Sequence, residues 1–106
     1  DYILSLLVIR DEKVSTEGIT QLRHQIDALD DQVMDLLSKR MRVCREIGTY
    51  KKEHNMTVVQ PNRYNEIQEK RGAQGVLCGM DSEFINKVFE LIHEESVRQQ
   101  VEIINK

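Results

Sequence analysis

The chain has 106 residues, with 15 Lys and Arg against 18 Asp and Glu, a net charge of -3; this suits one domain and argues against a nucleic-acid binder, which would show a basic excess or patch. Three Tyr, two Phe and no Trp argue against base-stacking platforms, and no apolar run approaches the roughly 20 residues of a membrane span. The two cysteines, Cys44 and Cys78, have no metal-type spacing and read as reduced thiols of a cytoplasmic protein.

Residues 1–16 read as a linker or the tail of an upstream domain. The chain opens at Asp1 without a methionine, as a piece of a longer protein would. Tyr2 to Ile9 is apolar but lacks the basic residues that precede a secretory signal; it suits a strand or a helical turn equally.

From about Glu17 to His54 the pattern is a long helix. Ser15 or Thr16 can cap it, Lys51 and Lys52 suit the negative end of its dipole, and Asn55 is a plausible stop. Its seam runs Leu22, Ile26, Leu29, Val33, Leu36, Arg40, Val43, Ile47, in steps of four and three. Arg40 is the anomaly. A guanidinium on an apolar stripe costs too much to bury alone, so an anion is expected beside it. Lys51 follows 11 residues later, about 20° away in direction and roughly 16 Å along the axis, with Cys44 and Ile47 between. Arg23 points about 100° away from Arg40, so it serves a neighbouring subunit's pocket more easily than its own. Gly48 interrupts the helix at a cost of about 1 kcal/mol against alanine, which suggests close approach of a neighbouring backbone or ligand.

Pro61 opens a second helix, which continues to about Arg71 before Gly72, Gly75 and Gly79 break it. Arg63 lies in its first turn, near the positive end where anions bind well. Asp81 caps a third helix that reaches about Ile104, with Met80 and Ile85 spaced for a hydrophobic staple. Its stripe, Phe89, Ile92, Ser96, Gln100, Ile103, carries two neutral hydrogen-bonding groups one turn apart.

The architecture expected is all-α, three helices per chain, one of them very long. At 1.5 Å per residue the first helix spans roughly 55 Å, against a radius of gyration of about 13 Å for a compact chain of this size. Its seam therefore needs cover from a second copy, and an intertwined helical homodimer is the simplest source.

Each polar residue has a bland reading: Arg40 snorkelling or ion-paired, Lys51 solvated, Ser96 bonded back to its own helix, Arg63 on the surface. Jointly they are donors converging from three helices, which calls for an anionic, acceptor-rich ligand. His24, His54 and His93 are scattered, so no metal site is expected. No nucleophile is paired with a base at helical spacing and no glycine-rich phosphate loop is present, so neither covalent catalysis nor a cofactor is called for.

Over about residues 19 to 104 the chain resembles the all-helical class of chorismate mutases. The matching text is Leu22-Arg23-His24-Gln25-Ile26-Asp27-Ala28-Leu29-Asp30, Leu36-Leu37-Ser38-Lys39-Arg40, Ile47-Gly48-Thr49-Tyr50-Lys51, Arg63, and Glu94-Glu95-Ser96-Val97-Arg98-Gln99-Gln100. The resemblance makes 17–106 a chorismate mutase-like domain and implies a homodimer with two sites, Arg23 crossing from the other subunit. It implies Arg40 on a substrate carboxylate, Lys51 on the ether oxygen and a carboxylate, Gln100 on the same ether oxygen, Ser96 on a carboxylate, and Arg63 supporting the anionic end. The implied reaction is the Claisen rearrangement of chorismate to prephenate, in the shikimate pathway to aromatic amino acids.

Two departures stand out. Tyr64 replaces a Glu that many members use to receive the substrate hydroxyl, and Gln60 replaces a frequent Asp before the second helix, where a backbone N–H contact would survive. Tyr64 packing on Val59 across the helix start is the bland alternative. The resemblance also implies a fusion, with DAHP synthase as the expected upstream partner ahead of prephenate dehydratase or dehydrogenase, which usually follow the mutase, and leaves three other functions open. These are a regulatory chorismate- or prephenate-binding module controlling that partner, a lyase acting on isochorismate, and a plain helical dimerisation module.

Overall fold

The computed structural model describes residues 12–106, with side chains from residue 16 onward. Three helices account for most of these: α1, Glu12–Glu53; α2, Pro61–Leu77; and α3, Ser82–Ile104. The apolar stretch Tyr2 to Ile9 lies outside the described residues. The chain divides into two units, one ending at Leu37 and the other running Ser38–Lys106.

α1 is already helical at Glu12, so Ser15 and Thr16 lie inside it and neither is its cap. No Gly or Pro stands between Glu12 and Glu17, and the Thr16 carbonyl takes a hydrogen bond from the Thr20 hydroxyl at 2.8 Å. The helix therefore starts at Glu12, ahead of the expected Glu17. In the first unit the seam residues Leu22, Ile26, Leu29, Val33 and Leu36 are each between 52 and 63% exposed.

The end of α1 follows expectation. Asn55 has a φ of 55°, and the Met56 N–H donates to the Lys51 carbonyl at 2.9 Å. Together with the bond from Asn55 to Lys52, this is the left-handed cap that satisfies carbonyls left open at a helix end. Lys51 and Lys52 occupy the last turn.

α2 departs from expectation: it runs to Leu77 rather than stopping near Arg71. Gly72 and Gly75 do not break it. Gly75 is buried, and a Cβ there would overlap the Ile85 side chain; one at Gly72 would sit 3.2 Å from the Asn86 side-chain oxygen. Gly75 lets α2 and α3 approach closely, so packing outweighs its weak helix propensity there. Only Gly79, at φ +82°, ends the helix, with the Met80 N–H on the Gly75 carbonyl at 2.8 Å.

Asp81 caps α3, its carboxylate accepting from the Phe84 N–H. Ile85 is buried, and Arg71 of α2 lies over the Phe89 ring at 5.9 Å. The Gly48 position brings α1 against α3: a Cβ there would lie 3.1 Å from the Gln100 Cα. Close backbone approach is thus the reason for that glycine. The second unit's buried side chains include two apolar ones, Cys44 and Ile85, and two polar ones, Ser96 and Gln100, at 5% and 7% exposure. Burying polar groups this completely has a cost unless they are paired, and their pairing defines the site.

Candidate active site

Arg40, Cys44, Ile47 and Lys51 follow one another at helical spacing and line one side of a cavity of about 350 Å³. That volume lies within the range of small-molecule clefts. The half-buried Arg40 donates through Nη1 to Ser96 Oγ at 2.5 Å and lies 3.7 Å from Cys44 Sγ. Ser96 passes its own proton back to the Ile92 carbonyl at 2.7 Å. The bland reading of Ser96, bonded back to its own helix, is what these bonds show, and its oxygen also accepts from Arg40.

Lys51 Nζ donates to the Val58 carbonyl at 2.7 Å and to Gln100 Oε1 at 2.8 Å. These bonds use two of its three protons and leave one to donate. The Gln100 amide, its oxygen engaged, keeps its NH2 as the donating end. Burial pushes the Lys51 ammonium below its ordinary 10.5, against an opposing pull from Cys44.

The start of α2 supplies the next wall. Gln60 sits at the N-cap without bonding the helix through its side chain, which donates instead to the Thr57 carbonyl at 3.3 Å. Arg63 lines the cavity, but its guanidinium bonds Glu66 at 2.7 Å, with both side chains about two-thirds exposed (64% and 66%). Such an exposed pair is weak and readily exchanged. Tyr64 faces His93 of α3, ring centroids 4.3 Å apart, and its hydroxyl accepts from Gln68 Nε2 at 3.0 Å.

Seven of the eight residues singled out from sequence thus line one cavity: Arg40, Lys51, Gln60, Arg63, Tyr64, Ser96 and Gln100. Arg23 belongs to the first unit and is exposed, whereas the lining residues all belong to the second. The residue that sequence reasoning missed is His93. It precedes Ser96 by three positions and Gln100 by seven, the spacing of one helical face, so the signal was present. Burial first, then Arg40, hold its imidazole below the ordinary 6.5; Lys51 adds to this and Glu94 opposes it.

The described lining residues include Arg40, Lys51 and Arg63 but no Asp or Glu. No cluster of His, Cys, Asp or Glu among the described residues could hold a metal ion, and no described helix is long and apolar enough to cross a membrane. What converges here is a set of fixed donors around a cleft, suited to an anion carrying several acceptors.

The chorismate mutase type II family pattern matches residues 22–101. Among individual relatives, a 4-amino-4-deoxychorismate mutase of Streptomyces pristinaespiralis is 28% identical over 85% of this chain and 70% of its own length. The T-protein of Enterobacter agglomerans is 30% identical over 74% of this chain. A bifunctional chorismate mutase/prephenate dehydratase of Escherichia coli K12 is 28% identical over 87% of it. The chain spans 21% and 24% of the latter two proteins.

Proposed function

Since the chain belongs to the chorismate mutase type II family, we propose that it catalyses the rearrangement of chorismate to prephenate in the cavity between its three helices. The observation that carries this is the meeting of Arg40, Lys51, Ser96 and Gln100 in one cleft whose described lining holds cations and no carboxylate.

The reaction is unimolecular. The ether C–O bond breaks, a C–C bond forms, and negative charge grows on the enolpyruvyl oxygen as the first runs ahead of the second. No acid, base or nucleophile is needed, so catalysis reduces to holding the reactive shape and stabilising that oxygen. In this reading Arg40 takes one carboxylate, joined by Ser96 once its proton turns from the Ile92 carbonyl to the ligand, and the remaining Lys51 proton and the Gln100 NH2 meet the ether oxygen. Lys51 also attracts a carboxylate through its charge, with no further proton needed. Arg63 leaves Glu66 to support the anionic end, and Gln60 contributes through its backbone. The donors are held in place by Val58, Gln100 and Cys44 before substrate arrives, which is the preorganisation that electrostatic catalysis requires.

Three finer parts belong to the same proposal. The exposed seam from Leu22 to Leu36 is covered by a second copy, because so long an apolar stripe needs a partner. Arg23, exposed beside Leu22, then enters the partner's cavity. The protein acts in the cytoplasm, joined to an upstream domain for which DAHP synthase is our choice. Bifunctional relatives support fusion as an arrangement without identifying that partner.

The test is to incubate the purified chain with chorismate and identify the product. Prephenate is expected. Binding without turnover would favour a regulatory module, and release of pyruvate a lyase.

A further inference from the structure

The cleft contains one wall that the reaction does not use. Two carboxylates occupy the cations, and the ether oxygen occupies Lys51 and Gln100. The remaining polar group of chorismate is its ring hydroxyl, and the remaining polar wall is Tyr64 with His93.

The hydrogen bonding of that wall has a direction. Gln68 Nε2 lies 3.3 Å from the Asn86 carbonyl, which can only accept. The nitrogen end of the amide must therefore face it. The same nitrogen lies 3.0 Å from the Tyr64 hydroxyl, so the phenol oxygen accepts there and its own proton is left to donate. A carboxylate at this position would accept; this phenol donates. His93, its ring 4.3 Å from that of Tyr64, is disfavoured as a cation by burial first and then by Arg40, with Glu94 opposing and Lys51 adding to the effect. A neutral imidazole has one accepting nitrogen.

We propose that Tyr64 and His93 form a hydroxyl-reading subsite, held in register by Gln68, that selects chorismate over its 4-amino-4-deoxy analogue. A ring hydroxyl can accept from Tyr64 and donate to His93 at once. An ammonium group has no lone pair for Tyr64, and it would enter a cleft whose described lining has three cations and no carboxylate. Sites that hydrogen-bond a substrate group discriminate strongly against analogues that cannot complete the pattern. Tyr64 and His93 are specificity-determining residues here, and Gln68 is a positioning residue.

The inference rests on the rearrangement reading, and its test separates the two. kcat/KM is measured for chorismate and for 4-amino-4-deoxychorismate with the wild-type chain, Tyr64→Phe and Tyr64→Glu, each checked for helicity. Wild type is expected to favour chorismate by about 10²-fold or more. Tyr64→Phe, which removes only a hydroxyl, should reduce that ratio about tenfold, and Tyr64→Glu should move it further toward the amino compound. Equal kcat/KM in the wild type, or a ratio that neither substitution moves, overturns the subsite. If chorismate is not rearranged at all, the rearrangement reading falls by itself. The subsite is then judged on the calorimetric dissociation constants of the two compounds, where the same preference and the same shifts are required.

Discussion

At the scale of single residues, Arg40 and Lys51 carry the largest consequence. Both are donors fixed by neighbours, Arg40 against Ser96 and Lys51 between Val58 and Gln100. Arg40→Ala and Lys51→Ala should each keep wild-type helicity by circular dichroism and lower kcat by about 10²–10³, the usual effect of removing one such donor. Near-normal turnover in either would remove that residue from the site. Lys51 adds a pH dependence. Its native pKa is depressed below 10.5 by burial, and the protonated form is the one that donates. kcat/KM should therefore fall as pH rises, with a midpoint below 10.5, because this parameter reports the free enzyme. Lys51→Arg should remove that limb, since a guanidinium stays charged throughout. A limb that persists unchanged in Lys51→Arg would assign it to another group. Arg40 was legible as a charge on an apolar stripe. His93 was not, because its scatter among the other histidines hid its place on the Ser96–Gln100 face.

Elements come next, and here the two glycines of α2 separate local propensity from packing. Both lie inside a helix that continues to Leu77. At Gly75 a Cβ would overlap Ile85, a buried branched side chain, while at Gly72 it meets only the end of the Asn86 amide. Gly75→Ala should lower stability by about 1–3 kcal/mol, the usual cost of overpacking. Gly72→Ala should be neutral or gain up to about 1 kcal/mol from helix propensity, since the Asn86 side chain can turn aside. Denaturant midpoints at one protein concentration would check the contrast, and equal losses in both would refute it. Reading α2 as ending near Arg71 failed for the same reason. A glycine looks like a breaker in one dimension, and only the neighbour at Ile85 shows that it is a contact.

For the whole molecule, the question is what covers the seam from Leu22 to Leu36. The proposed homodimer places Arg40 and Arg23 of each site on different chains, which makes a sharp prediction. Arg40→Ala and Arg23→Ala proteins should each be nearly inactive. Unfolded and refolded together, they should recover roughly a quarter of wild-type activity, since random pairing makes half the dimers mixed and each mixed dimer has one intact site. No recovery on mixing, with both variants folded, would place Arg23 outside the partner's cavity. A monomeric mass by light scattering would remove the dimer itself.

Sequence alone determined that there are three helices, though not where α1 starts or α2 ends, and it determined the stop at Asn55, the Asp81 cap and the polar residues on the apolar stripes, because each follows from spacing or capping within a few residues. Tertiary structure decided what those rules cannot reach. It turned Gly48 and Gly75 into helix contacts, tied Lys51 to Gln100 across 49 positions, and set Tyr64 against His93. These pairings depend on which surfaces meet after folding, and periodicity within one helix does not encode the identity of the residue opposite.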